Sequence, residues 1–93
     1  PRPVAVIPAG ADMAARALGL TLELRRAGFA VDLGYTGNMG KRLKRADKLN
    51  AAAAVILGED EIARGVAAVR DMETGDQTEV ALDSVAEYLV RYR

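Results

Sequence analysis

Ala51-Ala52-Ala53-Ala54-Val55-Ile56-Leu57 is a continuous apolar run closed by Gly58. A segment that is apolar on both of its alternating faces suits a strand covered above and below, the condition of a central strand in a largely parallel sheet. Two segments upstream share this character. Val4-Ala5-Val6-Ile7 is short and β-branched and stops at Pro8-Ala9-Gly10, and Phe29 to Leu33 ends at Gly34. Between these two, Met13, Ala17, Leu20, Leu24 and Ala27 recur at the spacing of one helical face, with Arg16, Glu23 and Arg26 on the other. The pattern predicts a helix over residues 13–27, with Asp12 as its N-cap and Gly28 as its left-handed stop. The order strand, helix, strand predicts a right-handed crossover and a parallel pair.

Between the second strand and the apolar run lies Gly34-Tyr35-Thr36-Gly37, a loop, followed by Asn38 as the cap of a helix from Met39 to Leu49. On a helical wheel Met39, Leu43 and Ala46 share one side. Lys41, Lys44, Arg45 and Lys48 gather on the opposite side within about 100° of arc. Beyond Gly58, Glu59 to Arg64 reads as a short helical turn. Val66 to Met72 and Thr78 to Leu82 read as a hairpin around Thr74-Gly75. Ser84-Val85-Ala86-Glu87 has capping-box spacing and opens a final helix whose inward residues are Val85, Tyr88, Leu89 and Tyr92. The expected fold class is α/β: a five-stranded mixed, mostly parallel sheet flanked by three helices, in one domain spanning residues 1–93.

Composition narrows the chemistry. The 93 residues contain no cysteine and no histidine, which removes thiol catalysis, imidazole bases and zinc-finger ligation. With 51% hydrophobic and 28% charged residues, the chain is suited to a packed core rather than to disorder. No apolar run nears the ~20 residues a membrane helix needs, and no partnership with a membrane is expected. Pro1 is not an initiator methionine and Val4 begins a strand almost at once, so a piece of a longer chain is expected.

Charge is balanced in total, 13 basic against 13 acidic residues, but not in distribution. Lys41, Arg42, Lys44, Arg45 and Lys48 crowd one segment with only Asp47 among them. A neutral domain with one basic patch suggests local contact with a polyanion. The patch follows a glycine-bearing loop at the carboxyl end of a strand, where open parallel sheets meet their ligands and where helix amides can face an anion. Arg42 has the fork geometry to grip phosphate, and Lys41 can act as a point charge. Tyr35 offers a ring on which an unpaired base can stack. Asn38 could read a base edge, and an N-cap role explains it equally well. Glu59, just past the central strand, could accept from a base amino group, or it is a solvated acid in a turn. The competing reading of the whole segment is a simple turn followed by a solvated charged face.

Two motifs fail on spacing. A P-loop needs four residues between its glycines and then Lys and Ser or Thr, whereas Gly34 and Gly40 enclose five and Arg42 stands at the hydroxyl position. Gly37-Asn38-Met39-Gly40 matches a bare GxxG, but it follows a strand instead of joining two helices. No catalytic constellation and no metal-ligand spacing is present in the sequence.

The stretch Asp32-Leu33-Gly34-Tyr35-Thr36-Gly37-Asn38-Met39-Gly40-Lys41-Arg42-Leu43-Lys44-Arg45-Ala46-Asp47-Lys48 resembles the C-terminal anticodon-binding domain of histidyl-tRNA synthetases. So do Ala54-Val55-Ile56-Leu57-Gly58-Glu59-Asp60-Glu61, Arg70-Asp71-Met72 and the turn Thr74-Gly75-Asp76-Gln77, in this order along the chain. The resemblance implies the anticodon-binding fold of class II synthetases and a role in holding histidine-specific tRNA. It also implies a cytoplasmic, homodimeric parent enzyme that uses ATP and Mg²⁺, with no cofactor and no catalytic residue in this part of it. By matching position it makes Tyr35, Gly37, Asn38, Arg42 and Arg45 the foremost anticodon-facing residues. Lys41 would touch only phosphate, Glu59 is a weaker candidate, and Lys44 and Lys48 complete the set of tRNA-binding residues. The alternatives are the equivalent domain of a prolyl-, threonyl- or glycyl-tRNA synthetase, or a flavodoxin-like module for a small molecule or a protein.

Overall fold

In the computed structural model, which describes residues 2–34 and 38–93, the chain folds as a five-stranded sheet in the order β2-β1-β3-β4-β5. The strands are β1 (Val4–Ala9), β2 (Val31–Leu33), β3 (Ala53–Gly58), β4 (Val66–Asp71) and β5 (Gln77–Ala81). Both β2 and β3 pair with β1 in parallel, Val4 standing opposite Val31 on one side and Ala53 on the other. β4 runs antiparallel to β3 and β5 antiparallel to β4. Four of the five strands therefore point the same way and β4 alone is reversed, as expected of a mixed, mostly parallel sheet. β1 and β3 sit inside the sheet with helices on both faces, which is why both are continuously apolar.

The helices are α1 (Ala14–Arg26), α2 (Met39–Lys48), the short α3 (Glu59–Ala63) and α4 (Val85–Leu89). On one sheet face, Ala17, Leu20 and Leu24 of α1 and Val85 and Leu89 of α4 pack on Val4, Val6, Val55, Leu57 and Val69. On the other, α2 packs through Ala46, with Met39 and Leu43, on Ala5, Ile7 and Ala54. The buried part of this second layer is four alanines and Ile7.

The helix ends follow from local chemistry. At the end of α1, Gly28 takes φ +95°, Phe29 N–H donates to Leu24 C=O at 3.0 Å, and Gly28 N–H donates to Arg25 C=O at 3.0 Å. This is the paired closure that a left-handed residue permits. α2 ends the same way with Asn50 at φ +58°, Ala51 N–H reaching Ala46 C=O at 2.9 Å. Asn is the residue besides glycine that tolerates this conformation through its short polar side chain.

Three local expectations are corrected. Asp12 does not cap α1: it lies in a 3-10 turn, Ala11–Met13, which enters the helix through Met13 without a side-chain cap. Ser84 makes no capping bond either, and the final helix is shorter than expected, α4 being flanked by 3-10 turns at Leu82–Ser84 and Val90–Tyr92. The second strand begins at Val31 rather than Phe29. At the two helix entries a 3-10 turn stands where a side-chain cap was expected, and Phe29 is taken up in closing α1, its N–H donating to Leu24 C=O.

Candidate nucleic-acid interface

The carboxyl ends of β1, β2 and β3 share one edge of the domain, so Ala9-Gly10, Leu33-Gly34 and Gly58-Glu59 form a common rim. The chain leaves β2 at this rim and enters α2, which carries it back to the amino-terminal ends of the strands. Tyr35 and Gly37, two of the anticodon-facing candidates, lie outside the described residues. Asn38 is extended, with φ −84° and ψ 178°, and its Oδ1 accepts from Lys41 N–H at 3.0 Å, so it caps α2. The cap uses only the amide oxygen of an exposed side chain.

The basic residues of α2 separate into two groups. Lys41, Lys44 and Lys48 are exposed, and among the described residues they enter no ion pair. Their spacing sets them in a row down one flank of the helix, about 10 Å from first to last. The arginines are held. Arg42 is half-buried beneath the rim and its Nη1 donates to the carbonyl of Pro8 near the end of β1. Arg45 is exposed but forms a two-pronged ion pair with Asp32 of β2, both contacts at 3.1 Å. That hydrogen bond and the charge of Asp32 raise the Arg45 pKa further above its ordinary value. The arginines therefore fasten α2 to β1 and β2, and the lysines present the open positive charge.

Glu59 stands on the same rim. Gly10 has φ +135°, and a Cβ placed on it would lie 3.4 Å from Glu59 Oε1 and 3.6 Å from its Cγ and Cδ. The glutamate side chain thus lies against the bare backbone at the end of β1. A carboxylate there can accept from the amino and ring N–H groups of a base edge and repels phosphate. The remaining surface points elsewhere: a cleft of about 550 Å³ between α1 and α3 is rimmed by Asp12, Glu23 and Asp83 against Arg16. That acidic balance disfavours a polyanion in this cleft. Among the described residues no cluster of acidic, histidine or cysteine side chains has metal-site geometry, and no helix is long and apolar enough to cross a membrane.

Residues 3–92 match the family model of the anticodon binding domain. The chain belongs to this family. The anticodon-binding domain is 50% identical over 92 residues to the histidine–tRNA ligase of Rhodospirillum rubrum, and 48% identical over 89 residues to that of Gluconacetobacter diazotrophicus. It superposes with a TM-score of 0.91 and 32% identity on the histidyl-tRNA synthetase of Nostoc sp. PCC 7120, over 99% of its length. The RNA binding domain of threonyl-tRNA synthetase from Cryptosporidium parvum, at 22% identity and a TM-score of 0.87, has the same fold. The domain spans 22% of the length of the Rhodospirillum ligase and 22% of the Nostoc chain.

Of the sequence candidates, the anticodon-binding domain brings Asn38, Arg42 and Glu59 to the rim and ranges Lys41, Lys44, Arg45 and Lys48 along the adjoining flank. Asp32, Pro8 and Gly10 were not singled out as site residues. Their importance rests on which strand ends lie side by side, and only the position of Pro8 and Gly10 at the end of the first strand was legible in the sequence.

Proposed function

We propose that this domain reads the anticodon of histidine-specific tRNA as the C-terminal part of a histidine–tRNA ligase. One observation carries the reading: a row of exposed lysines on α2 runs from the strand-end rim where Asn38 and Glu59 stand. Single-stranded anticodon bases would splay over the rim and be read on their exposed edges, while the lysines hold the backbone. The ligases of Rhodospirillum and Gluconacetobacter, named for histidine and similar over nearly the whole domain, favour histidine as the amino acid. In this reading the rest of the ligase, a cytoplasmic homodimer, attaches histidine to the tRNA with ATP and Mg²⁺. The domain itself holds no cofactor and makes no covalent bond.

The test is a titration of the domain with the anticodon stem-loop of histidine tRNA, alongside those of threonine, proline and glycine tRNAs. Tighter binding of the histidine stem-loop is expected. Replacing Lys41, Lys44 and Lys48 with glutamine should weaken all the complexes together and reduce the salt slope by roughly one unit per lost phosphate contact. Equal binding of all four stem-loops would overturn the histidine assignment. No binding of any would overturn the RNA-binding role of this surface.

A further inference from the structure

At the opposite end of the sheet from the rim, where β1 and β2 begin, a cleft of about 390 Å³ is lined by Arg2, Arg25 and Arg93 over Val4, Phe29 and Tyr92. Among the described residues no acidic side chain lines it. All three guanidinium groups are fixed in place. Arg93 stacks on the Phe29 ring, Cζ 4.5 Å from the centroid, and its Nη2 donates to Ala27 C=O. Arg25 Nη2 donates to Val31 C=O at 3.0 Å. Arg2 donates from Nε to Asn50 C=O at 3.0 Å and from Nη2 to Ala51 C=O at 3.1 Å, and its Nη1 meets Glu73 Oε1 at 2.8 Å.

A guanidinium carries more donors than these bonds use. Arg2 is balanced by Glu73, but Arg25 and Arg93 enter no ion pair among the described residues. The two remaining positive charges outweigh the partial negative charge that the carboxyl end of α1 brings to the cleft. Because the arginines are already ordered by backbone bonds and ring stacking, an anion that enters loses little further side-chain freedom in binding them.

Position gives the cleft its meaning. It lies about 20 Å from the rim, the length of β1 at ~3.3 Å per residue. Arg2 links the cleft to the end of α2 through backbone bonds. The α2 lysines descend toward Asn50 and Ala51, whose carbonyls hold Arg2, and Arg2 opens the cleft. We propose that the Arg2–Arg25–Arg93 cleft is a second phosphodiester site, which grips the backbone of the RNA stem that closes a loop lodged at the rim. This inference rests on the tRNA reading of the rim and adds a contact with the duplex that carries no sequence preference.

The experiment compares two RNA probes: the anticodon stem-loop of histidine tRNA and a single-stranded oligonucleotide of its loop alone. Each is titrated against the wild-type domain and the double variant Arg25→Gln/Arg93→Gln over a range of KCl. The wild type should bind the stem-loop with a steeper salt dependence than the loop. The double variant should bind the stem-loop tenfold or more weaker at ~0.1 M salt, with a slope shallower by about one to two units, and bind the loop as wild type does. Arg16→Gln, an exposed arginine outside the cleft, should leave both unchanged. Unaltered stem-loop binding by the double variant overturns the inference while leaving the rim reading intact, and is the result expected if the cleft instead receives an acidic protein segment. Failure of the wild type to bind either probe overturns both.

Discussion

The guanidinium of Arg45 grips both carboxylate oxygens of Asp32, Nε to Oδ2 and Nη2 to Oδ1, each at 3.1 Å. The pair ties the outer flank of α2 to the edge strand β2 and neutralises one cation in the middle of the lysine row. A pair whose guanidinium is largely exposed contributes little to stability. Asp32→Asn should therefore leave the melting temperature nearly unchanged while releasing the Arg45 charge to the flank. Tighter binding of the anticodon stem-loop at low salt, with a steeper salt slope, is the expected result. Weaker binding would instead mean that the orientation of Arg45, rather than its charge, serves the complex.

Asn38 holds the start of α2 beside the rim. Asn38→Ala removes the Oδ1 acceptor of Lys41 N–H and should cost about 1 kcal/mol in chemical denaturation. Asn38→Asp restores the acceptor and should recover that stability. It also adds a negative charge next to the proposed phosphate path, so its stem-loop binding should stay below wild type. The two variants thus separate capping from binding.

The layer between α2 and the sheet is packed through the buried Ala46 on Ala5, Ile7, Ala51 and Ala54. Ala46→Leu should destabilise by about 1–3 kcal/mol through overpacking. Since α2 must move outward to make space, RNA binding should fall by more than the stability loss alone predicts. Equilibrium denaturation and stem-loop titration of the same sample would test the two effects.

Two glycines on either side of one helix end should respond with opposite signs. Gly19 is in the middle of α1, where a Cβ would meet nothing within 4 Å, so Gly19→Ala should stabilise by about 0.5–1 kcal/mol. Gly28 has φ +95°, and a Cβ there would run into Arg93, so Gly28→Ala should destabilise by about 1 kcal/mol or more. Thermal unfolding of the pair against wild type reads both.

Asp71 and Tyr92 set the pH limits of the hairpin and the last helical turn. The backbone N–H groups of Thr74 and Glu73 hold the Asp71 carboxyl below its ordinary pKa range, with a further bond from the Tyr92 hydroxyl at 3.1 Å. Burial, and then the bond to Asp71, push Tyr92 up from the usual ~10 to about 12. The depressed acid stabilises the fold above the ordinary carboxylate range, and this contribution is lost as pH falls through that range. The raised phenol stabilises below pH ~10, and its contribution is lost as pH rises toward about 12. Asp71→Asn should flatten the acid side of a melting-temperature profile, and Tyr92→Phe the alkaline side.

Much of the fold was legible because single residues impose it. The uninterrupted apolarity of Val4 to Ile7 and Ala51 to Leu57 marks strands buried on both faces, and Gly28 and Asn38 mark helix ends whatever the distant structure does. Asp12 and Ser84 misled for the same reason: a capping residue signals an available bond, but the chain turned through 3-10 geometry at both places, where the buried Met13 and Val85 stand at the helix starts.

The sequence by itself determined which segments are strands and helices and that α2 has an apolar and a cationic side, because spacing along one element fixes which side chains share a face. Only the tertiary structure decided what those cations do. Arg42 and Lys41 are neighbours in the chain, yet one reaches under the rim to the Pro8 carbonyl and the other faces solvent. Arg45 meets an acid 13 residues away. The same holds for Arg2, Arg25 and Arg93, which are far apart in sequence and converge at the foot of the sheet. Partners of this kind are chosen by the order and register of the strands, a long-range property that no local pattern encodes.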